Sequence, residues 1–264
     1  MNKIVVKDDI VEIKEISDSI TVELIPKNIL LDVNTLKINI AEDSFLDIEY
    51  KHLNESKLNV EINIQENIRC DINEFRDGIK SKIKYHYNIN SNSILNIHKF
   101  YDIDTINEFV RIDLNGENAT INYVFKTLSD NSQKYDLVIY HNNSKTFSNI
   151  INNGVNIDSG NLIFNVSSFV PNGNVKCDVV QKSRIINLTL NKCQICPNLY
   201  IDEYDVNASH SAYIGNFKDE ELFYLMSRGI SAKDAEKLLI KGFLLNDMYF
   251  MSEKISELIE KFWR

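Results

Sequence analysis

The sequence predicts a mainly β chain with an α-helical C-terminal appendage. Three observations carry this. From about residue 20 to 214, short segments alternate apolar and polar residues, the period that puts one strand face inward and one outward. The segments recur about every ten residues, separated by clusters of Asn, Asp, Ser and Gly that tolerate tight-turn geometry. The last 50 residues lose this alternation and take up helical spacing instead.

In chain order the strands are "LKINI", "FLDIEY", "KLNVEINI", "IKYHYNI", "ILNIHKF", "FVRIDL", "TINYVFKTL", "DLVIYH", "NLIFNVSSFV" and "RIINLTL". The expected turns are "DVNT", "LNES", "NSNS", "NGEN", "HNNS", "NNG" and "PNGN". This pattern fits a sandwich, a barrel or an irregular β-solenoid, since no strict repeat is visible. The first 20 or so residues are not assigned. "DVNASHSAYIG", residues 205 to 215, is a further alternating segment in which Val206, Ala208, His210, Ala212 and Ile214 share a face.

A helix follows from near Lys218, with Asp219, Glu220 and Glu221 in its first turn, where the helix dipole favours negative charge. Leu222, Leu225 and Met226 share one face, Arg228 falls in the last turn, and Gly229 suits the position just past the end. Ser231 caps a second helix, with Asp234 three residues on. That helix carries Ala235, Leu238 and Leu239 on a stripe and is expected to end near Gly242. A third places Ile255, Leu258, Ile259 and Phe262 at i, i+3, i+4 and i+7.

The 264 residues are 44% hydrophobic and 25% charged, enough to bury a core, and carry a net charge of −9. With no run of Lys or Arg, neither nucleic acid nor an anionic membrane surface is an expected partner. "NKIVVKDDIVEIKEISD" after Met1 is too interrupted by charge for a signal peptide, and no apolar stretch reaches the length of a membrane span, so a soluble, cytoplasmic protein is expected. Four cysteines do not make a disulfide scaffold. The abundance of Asn, Ile and Lys is taken as a compositional bias without functional content.

Five positions bear on chemistry. His210 is a ligand or proton carrier on a face kept small for a partner, or else a hydrogen-bonded core or interface histidine, and the second reading is preferred. Cys193 and Cys196 form a C-x-x-C that can hold a metal, form a redox pair or contribute to an Fe–S cluster. No second pair completes a zinc site, and on a regular strand the two point to opposite faces, so buried reduced thiols are preferred. Cys177 lies in the same half of the β body. His141, at a strand end, lacks a recognisable nucleophile partner. There is no P-loop, H-E-x-x-H or dinucleotide-binding glycine motif, and no acidic pair stands out as catalytic.

Residues 197 to 243, "PNLYIDEYDVNASHSAYIGNFKDEELFYLMSRGISAKDAEKLLIKGF", resemble the C-terminal signature of the SufB/SufD family, the core of the SUF iron–sulfur cluster assembly machinery. The resemblance rests on Pro197, Asp205-Val206, Ser209-His210, Ala212, Ile214-Gly215, Leu222 to Leu225, Ser227 to Ile230, Ala235 and Gly242-Phe243. "LNGENA", "VIYHNNS" and "DVVQKSRIINLTL" also look like family segments. The resemblance is clear over about the last 150 residues and weak over the first 100.

It implies a right-handed parallel β-helix, residues 1–214, with a C-terminal α-helical subdomain, 215–264. It also implies a non-enzymatic scaffold that pairs with a second SufB/SufD-type subunit, as homodimer or heterodimer, and docks a SufC-type ATPase. Phe223, Tyr224, Arg228 and Gly229 are then the ATPase-docking candidates, and His210 leads Cys193 and Cys196 as cluster or metal ligand. SufD-type strands typically read Asp-Val-x-Cys-x-His-Gly-Ala, whereas this one has Ala208 at the cysteine and Ser211 at the glycine. SufB-type members flank the histidine with glutamates, and here the flanks are Ser209 and Ser211. The chain is also shorter than a typical SufB or SufD. These departures leave open a minimal SufB-like protein, a structural SufD-like subunit that holds no cluster, and a β-helix carbohydrate-active protein.

Overall fold

The structure is a computed structural model that describes residues 2–8, 10–27, 33–248 and 251–262, with only the backbone of Phe262. It opens with two antiparallel pairs, β1 (Asn2–Lys7) with β2 (Ile10–Glu15) and β3 (Ile20–Ile25) with β4 (Asn34–Ile40). Every later pairing is parallel. β1 joins β5 (Ser44–Ile64), which pairs with β6 (Arg69–Ile89) and then β7 (Ile94–Leu114). Each of these 21-residue strands runs along one face, bends, and returns along the other.

From β7 the two faces are built by separate strands. One continues through β8 (Thr120–Ser129), β10 (Phe147–Asn156), β12 (Cys177–Asn187) and β14 (Val206–Gly215). The other runs through β9 (Ser132–His141), β11 (Asn161–Val170) and β13 (Gln194–Ile201). The result is a two-faced parallel β-solenoid of about 7 turns followed by three helices. Of the three architectures compatible with the strand pattern, the solenoid is the one formed.

Alternation sets the lumen. Leu46, Ile72, Ile97, Tyr123 and Ile150 stack in register on consecutive rungs, all buried. Turns are matched from coil to coil as well. Asn67, Asn92 and Asn118 each adopt positive φ, a conformation that asparagine tolerates, and their side-chain amides donate along the column at 3.0 and 2.8 Å. A second ladder runs Asn39–Asn63–Asn88–Asn115–Asn142 on the face outside the lumen. Stacked asparagine amides in register satisfy one another between strands. At these positions the asparagines have a structural role.

Two expected turns are strand instead. "NNG" lies inside β10, and "LNES" lies inside β5, where the register with β6 shifts between His52 and Glu55. Facing that bend is Gly78 at φ +146°, where a Cβ would come within 2.3 Å of the His52 carbonyl oxygen.

The helices are α1 (Asp219–Ser227), α2 (Ala232–Leu245) and α3 (Ser252–Phe262). α2 and α3 lie on the outside of the first face. Ile240, Leu244, Ile255, Leu258 and Ile259 pack there with Phe100, Val124, Leu128, Val155 and Ile186. Buried Lys126 anchors the end of α2 by donating to the Phe243 and Asn246 carbonyl oxygens, groups that a helix C-terminus leaves without partners. Ser231 caps α2 as expected, accepting from the Asp234 amide at 3.1 Å. α2 passes through Gly242 rather than ending there, and Ala235, Ile240 and Leu244 form its buried stripe while Leu238 is exposed. No helix among the described residues is long and apolar enough to cross a membrane.

Candidate functional site

The C-terminal end of the solenoid is open. Among the described residues, β14 pairs only with β12, and β13 only with β11, so both strands present an unpaired edge. Such an edge carries a row of unsatisfied backbone donors and acceptors. His210 pairs in register with Gln181, which itself pairs with Ile150, so His210 continues the buried apolar column of the lumen. The column turns polar at its last two rungs. Gln181 is buried and donates to Ser168 Oγ at 2.8 Å and to the Asn198 carbonyl at 3.2 Å, whereas His210 is exposed because no further coil covers it. Ala208 and Ala212, on the same face, are exposed as well.

The cysteines fall elsewhere. Cys193, just before β13, packs with Ile195 against the lumen core, and burial pushes its thiol up from its ordinary pKa. Cys196 lies on the opposite face, where Gln194 Nε2 donates to its Sγ at 2.9 Å. The two thus diverge, as strand geometry requires. His210 belongs to β14 on the first face, whereas Cys193 and Cys196 belong to the second, and no hydrogen bond joins any two of them among the described residues. The structure therefore brings none of the three candidate ligands together. Among the described residues, no three His, Cys, Asp or Glu side chains are placed to hold a metal ion.

Cys177 and His141 share a buried chain. His141 Nδ1 is 2.8 Å from Thr146 Oγ1 and Nε2 is 2.9 Å from Ser148 Oγ, and Thr146 Oγ1 lies 3.2 Å from Cys177 Sγ. Burial pushes the His141 pKa down to about 4, so the ring is neutral at pH 7 and ties one coil to the next.

A half-buried aromatic stack also ends at the open end. On the outside of the second face, Tyr140 stacks on Phe169 with centroids 4.9 Å apart, and Phe169 on Tyr200 at 4.5 Å. Tyr200 is the last ring, on the edge strand β13.

α1 forms for the expected reasons. The Lys218 amide donates to Glu221 Oε2 at 3.1 Å, and Gly229, at φ +86°, donates to the Met226 carbonyl while Ile230 donates to that of Leu225. That pair of bonds is a Schellman motif, which needs a left-handed residue at Gly229. α1 buries no residue, however, and Phe223 is 73% and Tyr224 57% exposed. The Arg228 guanidinium lies over the Tyr224 ring at 5.4 Å. All four docking candidates thus sit on or beside one uncovered helix.

One polar cluster was not anticipated. Glu74, Arg76, Lys99 and Glu108 are at most 1% exposed inside the lumen. Lys99 Nζ is 3.5 Å from Glu108 Oε1 and 3.7 Å from Glu74 Oε2, Arg76 is 3.2 Å from Glu74 Oε1, and Tyr101 donates to both carboxylates. Burial pushes the Glu74 carboxyl up, but Lys99 and Arg76 outweigh it and hold the pKa below the usual carboxylate range. Strand parity would have revealed the cluster, because Glu74 and Arg76 occupy inward positions in "CDINEFR" and Lys99 does so in "LNIHKFY".

Comparison with known proteins identifies a family. The family model described as "SUF system FeS cluster assembly, SufBD core domain" matches residues 35–243. The chain is 36% identical over 116 residues to the iron–sulfur cluster assembly protein SufD of Bacillus subtilis, covering 44% of this chain and 26% of that protein. It is 30% identical over 133 residues to SufD of Escherichia coli, covering 49% of this chain and 31% of that protein. A SufBD family protein of Pyrococcus horikoshii is 39% identical over 72 residues, 27% of this chain and 15% of that protein. The chain thus spans about a quarter to a third of the length of the two SufD proteins it matches. The family match runs from β4 to α2, taking in the solenoid, its open end and the uncovered helix, and on that evidence the chain belongs to the SufB/SufD family.

Proposed function

We propose that the chain is a non-enzymatic scaffold subunit of SUF iron–sulfur cluster assembly. In this reading it pairs through its open end with a second SufB/SufD-type subunit and receives a SufC-type ATPase on α1. The cluster is its cargo, and the energy of ATP hydrolysis comes from the partner. The observation that carries the proposal is β14, a ten-residue strand paired on one side only among the described residues, whose lumen-facing Ala208, His210, Ala212 and Ile214 are exposed where those of β8, β10 and β12 on the same face are buried. A second solenoid end set against it would satisfy the edge and cover His210. The uncovered Phe223 and Tyr224 support α1 as the ATPase dock.

His210 is the first ligand candidate because it alone of the three lies on the exposed lumen face of the junction. With Ala208 where SufD-type members carry cysteine, and with Cys193 and Cys196 displaced, further ligands must come from the partner subunit. The same placement favours a second reading, a structural SufD-like subunit that holds no cluster. Anaerobic reconstitution of the co-expressed complex with iron and sulfide separates the two. Iron and sulfide bound to wild type and lost in His210→Ala, with Cys193→Ser and Cys196→Ser unaffected, is the result expected of the scaffold. A stable complex with no iron in any form would leave the structural reading.

A further inference from the structure

Between the outer surface of the first face and α2 lies a groove of about 670 Å³ that reaches the open-end strand β14 at Ser211, Ala212 and Tyr213 but is lined by none of the three candidate ligands. Its floor is two rungs deep. Ile151, Lys182 and Ser211 are register partners on one, and Asn153, Arg184 and Tyr213 on the other. Leu238, Leu239 and Phe243 line it from α2. Its volume falls in the range of small-molecule sites, and its walls are mixed in the way such sites are: mostly apolar, with a few convergent polar groups.

Three features point to a ligand. Lys182 and Arg184 project from the same strand two residues apart, so both face the groove, and neither has a carboxylate partner among the described residues. The Arg184 guanidinium is held between two rings, 5.1 Å from the Tyr213 centroid and 5.2 Å from that of Phe243, an arrangement that fixes the charge without neutralising it. Glu221, also on the lining, accepts from the Lys218 amide and is engaged in capping α1. The third feature is Gly242. It sits inside α2, where glycine destabilises a helix relative to alanine, yet its φ is not positive and a Cβ there would meet nothing within 4 Å. Neither conformation nor packing requires a glycine. Its bare position opens onto the groove, which any side chain would narrow.

We propose that this groove binds a small organic anion, a carboxylate or phosphate attached to a flat apolar body. The anionic group would pair with Lys182 and Arg184, and the body would lie across Gly242 against Phe243 and Leu239. This goes beyond the scaffold role and does not depend on it, since none of these residues is a ligand or docking candidate above.

The test is a titration of the full chain with 1-naphthyl phosphate by calorimetry, with 1-naphthol and inorganic phosphate as separate arms. Saturable one-to-one binding is expected, weaker by about tenfold or more for 1-naphthol and for inorganic phosphate alone. Gly242→Leu should abolish binding while the unfolding midpoint holds or rises, since leucine is the better helix former. Arg184→Gln and Lys182→Gln should each weaken binding by about tenfold, with Arg184→Lys recovering part of the loss. Absence of saturable binding up to about 5 mM, or binding unmoved by Gly242→Leu and Arg184→Gln together, would overturn the proposal.

Discussion

Replacing Lys99 with methionine isolates the contribution of the buried charge cluster. The methionine keeps most of the apolar stem, so the change is chiefly the loss of one positive charge. In the wild type, two cations face two carboxylates, with Lys99 Nζ 3.5 and 3.7 Å from Glu108 and Glu74 and 3.4 Å from the Tyr85 ring centroid. Lys99→Met leaves Arg76 as the only cation within the cluster, and the lumen acquires a net negative charge that water does not reach. Removing one partner of a buried pair costs about 3–5 kcal/mol. For a domain of this size, that corresponds to a fall in Tm of roughly 6–20 °C. The assay is urea unfolding followed by far-UV circular dichroism, with the cycle completed by Glu108→Gln and the double variant. Restoring neutrality should recover at least about half of the loss, a coupling well above what independent sites show. Losing Lys99 also removes one of the two charges that hold the Glu74 carboxyl low, so the deficit should shrink as pH falls. A loss below about 1 kcal/mol, or strict additivity in the cycle, would refute the reasoning.

Three further expectations concern the frame of the solenoid and its uncovered helix. His141 has a folded pKa of about 4 against 6.5 for the free side chain, so between those values the unfolded chain binds more protons. Stability should therefore fall by up to about 3 kcal/mol as pH drops from 6.5 to 4, and His141→Gln should flatten that segment of the pH–stability curve. Asn88 donates to Asn63 at 2.8 Å and accepts from Asn115, so Asn88→Ala interrupts the ladder at its centre and should cost about 1–2 kcal/mol by urea titration. Gly229→Ala forces a Cβ into a left-handed position at a cost of about 1 kcal/mol. Because α1 buries nothing, that substitution should leave the global midpoint nearly unchanged while increasing amide exchange within 219–227.

Much of this fold was legible locally, and what was not has identifiable causes. Strand parity depends only on neighbours two residues apart, so the inward set of Leu46, Ile72 and Ile97 could be read without knowing what pairs with what. Choosing between sandwich, barrel and solenoid could not, because alternation does not encode pairing partners. The internal repeat was hidden by uneven coils: laddered asparagines lie from 24 residues apart at Asn39–Asn63 to 31 at Asn156–Asn187. The "LNES" and "NNG" segments carry turn residues inside strands, where asparagine serves cross-strand ladders and Asn54 sits at a bend. α1 and the start of α2 were correctly anticipated, because capping by Ser231 and Gly229 is local. Gly242 misled because a mid-helix glycine and a helix end look alike in sequence. His210 was correctly placed on a small-residue strand, but its exposure follows from the absence of a covering coil, a property of the assembled solenoid.

The central claim is that the open end and α1 are two separate partner surfaces. It is tested most directly by measuring the mass of the chain, alone and with a SufC-type ATPase, by light scattering coupled to gel filtration. The account predicts an assembly containing two SufB/SufD-type chains with bound ATPase. Phe223→Asp should release the ATPase and keep the pairing, and Ala212→Arg should break the pairing and keep the ATPase. A species of 30.6 kDa that neither pairs nor binds the ATPase, or an assembly indifferent to both substitutions, would contradict it.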